Sequence, residues 1–259
     1  MTEHYGSWLY AVTRQAGATF SERLTGVAGE PLHAIEESGL VAVAGSVPLS
    51  SFGDEALRRN FEDLDWLGAV ARAHDAVVDA VSRAGPAVPL RLATVYLDDE
   101  RVRLVLQHRK DDFARVLDRV AGRTEWGVKV VFDPARLREP EVAAAGGGTR
   151  PGAAYLQRRR TELAARDREE RFAVEQAEKI HSALSALAVE ARRHRPQSPR
   201  LSGNAKPMIL NAAYLVDDEA TREFTRAVAE QDGGHAAIQL QLTGPWPPYS
   251  FSSLEEPAP

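Results

Sequence analysis

The stretch from Val88 to Phe132 constrains this chain most, because its apolar pattern changes period twice. Val88, Pro89, Leu90, Arg91, Leu92, Ala93, Thr94 and Val95 form a short apolar run of the kind that suits a strand buried on both faces. Asp98, Asp99 and Glu100 then supply the acidic start that satisfies free amide groups at a helix N-terminus and complements its dipole. Val102, Val105, Leu106, Phe113, Val116, Leu117 and Val120 recur at steps of three and four, with Arg101, Arg103, Arg109, Lys110 and Asp111 on the other side. One helix is predicted there, ended by Gly122. After it Trp126, Val128, Val130 and Phe132 alternate with Glu125, Gly127, Lys129 and Val131. That alternation predicts a strand with one apolar face, so the unit reads strand, helix, strand.

The flanking sequence extends this mixed pattern. Ser7 to Val12 is aromatic and β-branched and predicts a first strand; Leu32 to Glu37 suggests a single helical turn, and Leu40 to Val47 a second strand. From Asp54, the stripe Leu57, Phe61, Leu64, Leu67, Val70, His74, Val77, Val78 and Val81 predicts one long helix closed by Gly85 and Pro86. Residues 134–151 are rich in Gly, Ala and Pro and predict a linker. A length of 259 residues fits about two domains at ~150 residues each. The expected division is 1–133, the linker 134–151, and 152–259.

The second half opens with a charged segment. Arg150 to Arg200 holds twelve Arg or Lys against seven Asp or Glu, in a chain whose net charge is -5. Ala173, Ala177, Ile180, Leu184, Leu187 and Ala191 form a narrow seam, predicting one or two long helices that end near His194 and Pro196. A strand is expected over Pro207 to Val216, a capped helix over Asp217 to Ala229 and a last strand over Ala236 to Thr243. Gly244, Pro245, Trp246, Pro247, Pro248, Tyr249, Ser250 and Phe251 follow. Their prolines oppose a sheet ladder and predict an extended polyproline conformation.

Chemistry is hard to find. The absence of Cys removes disulfides, thiol nucleophiles and thiolate metal sites. Seven His residues are scattered without ligand spacing, so no metal is expected. His74 lies on an apolar stripe and reads as a core histidine with a backbone partner. No phosphate loop, dinucleotide fingerprint or nucleophile elbow is present, so neither catalytic residues nor a cofactor are expected. Asp98, Asp99 and Glu100 read as a helix cap rather than an acid/base cluster. No secretory signal is expected at the N-terminus, and no apolar run reaches the ~18 residues of a membrane span, so no membrane partner is expected. These features suit a cytoplasmic chain.

Two surface features remain as candidate partner-binding residues. Arg158, Arg159 and Arg160 form a basic cluster whose ordinary role is a solvated helix face and whose alternative role is gripping an acidic partner. Trp246, Pro247, Tyr249 and Phe251 either latch the tail onto the chain's own surface or dock on a partner as a preformed segment.

Several of these stretches resemble a known family. Pro-Leu-Arg-Leu-Ala-Thr-Val-Tyr from Pro89, the strand Glu125 to Val130, Tyr155-Leu156, Asn211 to Val216 and the Pro/aromatic tail occur in order from Trp8-Leu9-Tyr10 to Phe251. They resemble the gas vesicle protein F/L family (GvpF/GvpL). One departure is Leu92-Ala93, where many family members have Phe-Gly. The resemblance implies an α+β fold of two domains. The first is a modified ferredoxin-like domain, and the second an α+β domain with long helices, a short sheet and the tail. It also implies a non-catalytic accessory protein that supports gas vesicle assembly inside the cell, with gas vesicle shell protein and other gas vesicle accessory proteins as partners. The alternative is a ligand-sensing or nucleic-acid-binding regulatory module on the same fold, although no nucleic acid is expected at this mild net charge.

Overall fold

The computed structural model describes residues 3–14, 24–137, 151–196 and 206–253. The chain forms two compact units, one of Met1–Glu125 with Pro245–Pro259 and one of Trp126–Gly244.

The first unit is built around a sheet of β1 (Tyr5–Thr13), β2 (Leu32–Glu37), β3 (Leu40–Pro48), β4 (Ala87–Pro89) and β5 (Val95–Tyr96). Its order is β2-β3-β1-β4, with β5 also pairing with β1, and every pairing is antiparallel. That order and those directions are those of a ferredoxin-like sheet. The central strand β1 is buried from Gly6 to Thr13. A register shift between Leu9 and Ala11 puts one extra residue into β1. Trp8, Tyr10 and Ala11 therefore enter one core, while Leu9 and Val12 enter the other.

Helices cover both faces. α1 (Leu49–Phe52), α2 (Asp54–Asn60) and α3 (Leu64–Ala84) pack their apolar stripe against Trp8, Tyr10 and Val43. α4 (Asp99–His108) and α5 (Lys110–Val120) pack Val102, Leu106, Phe113 and Leu117 against Leu9, Val12 and Ala42.

Four local expectations are corrected here. Leu32–Glu37 is a strand, because Ser38 and Gly39 both take positive φ and close a two-residue hairpin onto Leu40. The long helix expected from Asp54 is broken after Asn60, since Asp63 accepts from the amides of Asp65 and Trp66 and starts α3 afresh. The helix expected after Asp98 is broken at Arg109, although Leu106 and Phe113 keep the same core face. The strand expected over Val88 to Val95 is also divided: β4 and β5 flank a turn in which Ala93 holds φ 65. A left-handed position favours Gly, so Ala93 holds a backbone conformation that its Cβ makes unfavourable.

The second unit holds β6 (Arg123–Phe132), α6 (Pro151–Ser185), β7 (Glu190–Arg193), β8 (Met208–Asp217), α7 (Thr221–Asp232) and β9 (Ile238–Trp246). The sheet order is β7-β8-β6-β9, so β6 lies in a different sheet from β4 and β5. The expected strand-helix-strand unit thus feeds two sheets. Trp126, Val128, Val130 and Phe132 of β6 meet Tyr214 and Val216 of β8, Ile180 and Leu184 of α6, and Phe224 of α7. The division between units falls inside β6, after Glu125, and inside β9, after Gly244. Most of the expected linker, residues 138–150, lies outside the described residues; Pro134–Arg136 is a 3-10 turn.

α6 ends at Ser185, earlier than expected, and Glu190–Arg193 becomes a strand. Backbone pairing decides this: Val189 N–H donates to Leu215 O at 2.8 Å and His194 N–H to Asn211 O at 2.7 Å. Its charged side chains suit a sheet edge. The expected polyproline tail is corrected too. β9 runs on through Pro245 to Trp246, which an edge strand tolerates, and Tyr249–Phe251 forms a 3-10 turn.

Candidate functional site

The tail is held within the first unit by named contacts. Tyr249 Oη donates to Asp75 Oδ1 at 2.9 Å. The Ser250 amide and hydroxyl donate to the two oxygens of Glu125 at 2.8 and 2.6 Å. Phe251 is fully buried, Pro248 is buried, and Pro247 and Tyr249 are half-buried. Burial, with the Asp75 carboxylate beside it, pushes the Tyr249 phenol well above its ordinary pKa. Of the four tail residues singled out by sequence, only Trp246 presents most of its side chain to solvent, at 53%. Glu125, which anchors Ser250, is 7% exposed although the alternation of β6 placed it on the polar face. A buried carboxylate needs donors, and a strand position alone carries no sign of them.

The arginine cluster lies elsewhere, in the leading half of α6. Arg159 and Arg160 are exposed, and Arg159 Nη1 reaches Glu162 Oε2 at 3.4 Å. Arg158 belongs to the same helix, but its side chain lies outside what is described. A shallow open groove runs along this helix beside Arg160, Ala164, Asp167, Arg168 and Arg171. Tail and arginine cluster therefore belong to different units.

Other ionisable groups are committed to structure. Trp8 Nε1 donates to His74 Nδ1 at 3.1 Å, and His74 Nε2 lies 3.1 Å from Leu90 O. Those partners fix the neutral tautomer with its proton on Nε2, and burial lowers the pKa of this ring. The core reading of His74 holds. Asp98 accepts from the Arg101 amide at 2.8 Å, as a cap should. Asp99 instead accepts from Ser7 Oγ at 2.6 Å and from His33 at 3.2 Å. Burial raises the Asp99 carboxyl, but these two partners outweigh it and hold the group below its usual range. The order Ser, Asp, His puts the carboxylate in the middle, so the group against the Ser7 hydroxyl is a carboxylate of lowered basicity and not an imidazole.

A third polar group went unsuspected. Glu30 accepts from Tyr10 Oη at 2.6 Å and from the Ala28 amide at 2.7 Å. A Cβ on Gly26 or Gly45 would stand only 1.8 or 2.1 Å from Glu30 Oε1. These glycines make room for a buried carboxylate that pins the turn before β2. Among the described residues, no group of three His, Asp or Glu side chains is placed to hold a metal. No described helix is long and apolar enough to cross a membrane.

The sequence matches the family of the gas vesicle synthesis protein GvpL/GvpF over residues 6–253. The chain belongs to this family. Among relatives of the GvpL/GvpF family, gas vesicle protein L of Streptomyces sp. (strain CB03234) is 43% identical, the match covering 96% of this chain and 93% of that protein. Gas vesicle protein F of the same strain is 26% identical, covering 95% and 98%. The GvpF crystal structure from Anabaena sp. PCC7120 superposes with a TM-score of 0.70 at 19% identity, covering 97% of this chain and 98% of that one. GvpF from Microcystis aeruginosa gives 0.66 at 20% identity, covering 96% and 99%. The fold is therefore that of the family, and the gas vesicle resemblance read from Trp8 to Phe251 is correct.

Proposed function

We propose that this member of the GvpL/GvpF family is a non-catalytic accessory protein that binds gas vesicle shell protein and supports assembly of the vesicle inside the cell. The observation that carries this reading is the 43% identity to gas vesicle protein L across nearly the whole of both chains. The lower identity to gas vesicle protein F of the same strain favours an L-type role. Side-chain chemistry is in keeping with it, because the ionisable groups at Asp75, Glu125, Glu30 and Asp99 accept hydrogen bonds that hold the fold together. The N-terminal ferredoxin-like domain and the C-terminal α+β domain then act as a binding scaffold. Trp246, exposed beside the anchored tail, and the exposed Arg159 and Arg160 supply partner contacts.

The experiment is a pull-down of tagged protein from cells expressing a whole gas vesicle cluster. Shell subunit should co-purify with the wild type, and Trp246→Ala should lower its yield without changing the thermal unfolding of the carrier. Absence of shell subunit from the wild-type eluate, with no change in its solubility on coexpression, overturns the binding reading.

A further inference from the structure

A row of aromatic rings climbs out of the first unit's core to its surface. Trp8, fully buried, meets Phe52 edge-on at 5.6 Å; Phe52 meets Trp66 at 5.6 Å; and Trp66 meets Phe61 at 6.0 Å. Exposure rises along the row, from nothing at Trp8 to 37% at Phe61. Between Phe61 and Trp66 in sequence stands Leu64, the first residue of α3 and 79% exposed. The break between α2 and α3 thus delivers an aromatic and an aliphatic side chain to solvent on a rigid footing.

Carboxylates flank these apolar residues along the chain. Glu55, Glu62, Asp63 and Asp65 are all exposed; Asp63 caps α3, and Glu55 and Asp65 stand in the first turns of α2 and α3. Arg58 and Arg59 are the cations of the same stretch and are outnumbered. Apolar anchors on a packed base, with a rim in which negative charge predominates, are the anatomy of a recognition patch whose partner carries the opposite sign.

We infer that the corner formed by Phe61, Leu64 and Trp66 docks an amphipathic segment of a partner protein, whose apolar side chains are flanked by Lys or Arg. The anchors supply the desolvated contact, and Glu62 and Asp65 set the charge preference and speed the encounter. In taking the partner from a gas vesicle cluster, the inference rests on the assembly reading.

The test uses the full chain, with Leu64 replaced by the photoreactive p-benzoyl-phenylalanine, coexpressed with a whole cluster and irradiated. The expected result is an adduct with one cluster protein, mapping to a segment where Lys or Arg flanks apolar residues. Its yield should fall at least about tenfold when Glu62→Lys and Asp65→Lys are added, a change that spares the Asp63 cap and involves only exposed positions. No adduct, an adduct on a segment without basic residues, or an adduct indifferent to charge reversal overturns the inference. A parallel pull-down separates the two ideas. If wild type retains shell subunit and Leu64→Ser retains it equally while no adduct forms, docking at this corner fails and the assembly reading stands. If the adduct forms on another cluster protein and shell subunit is not retained, shell binding fails and the docking corner stands.

Discussion

The tail from Pro247 to Ser252 and the leading half of α6 are both appendages to a core, and they are held in opposite ways. The tail is short and uncharged, and it is fastened by a phenol on Asp75, two donors on Glu125 and a fully buried ring at Phe251. The leading half of α6 belongs to a helix of 35 residues, about 52 Å long at ~1.5 Å per residue. Tyr155 and Leu163 are exposed there, and regular burial begins only with Ala177, Ile180 and Leu184. Arg159 on Glu162 is its kind of support, a helix-surface ion pair of neighbouring turns. A few desolvated contacts hold one segment, and a backbone ladder with solvated charges holds the other. These contacts are the latch reading of the tail and the solvated-face reading of the arginine-rich helix.

The comparison can be broken most forcefully at Phe251. Phe251→Ala should destabilise the first unit by about 3–5 kcal/mol, as removal of a buried aromatic ring does. Denaturant titration reads this, and a loss below about 1 kcal/mol would show that the tail is no part of that core. Glu125→Ala leaves the Ser250 donors without their acceptor and should cost about 1–3 kcal/mol in the same titration. A smaller effect is expected of Tyr249→Phe, about 1 kcal/mol near neutral pH.

That variant also carries a pH signature. The folded phenol of Tyr249 titrates above its unfolded value, so its stabilising contribution is complete below pH ~10 and is lost as pH rises through the folded value. Wild type should lose stability above pH ~10 more steeply than Tyr249→Phe; parallel curves would mean the phenol is not buried beside Asp75 in solution. Least of all should follow from Arg159→Ala or Leu163→Ala, within about 0.5 kcal/mol by thermal unfolding. A larger loss at either would mean that the leading half of α6 is packed rather than solvated.

Much of the architecture was legible because it depends on local pattern. The period of Val70, Val77, Val78 and Val81 specified α3, and the alternation from Trp126 to Phe132 specified β6; all are buried as expected. Helix breaks were not legible, because Asp63 and Arg109 interrupt helices whose apolar stripes continue in phase across the gap. The hairpin at Ser38 and Gly39 was missed for a related reason: Ser adopts positive φ only when the strands on either side require it. Of the candidate site, the aromatic tail and the arginine cluster could be named from composition. Their different fates, with Phe251 inside and Arg159 outside, match the latch and solvated-face readings, but the anchors Asp75 and Glu125 left no sign in the sequence.

By itself the sequence determined the family, from residue 6 to residue 253, together with the helices and strands whose apolar periods repeat long enough to outweigh local propensity. Tertiary structure alone decided which sheet each strand joins, placing β5 in one and β6 in the other although only two short helices separate them. It also decided that Glu125 and Glu30 are buried and Leu64 is not. The physical reason is common to these cases. Periodicity records which side of an element faces a core, whereas the core it meets, and the donors waiting there, come from residues far away in the chain.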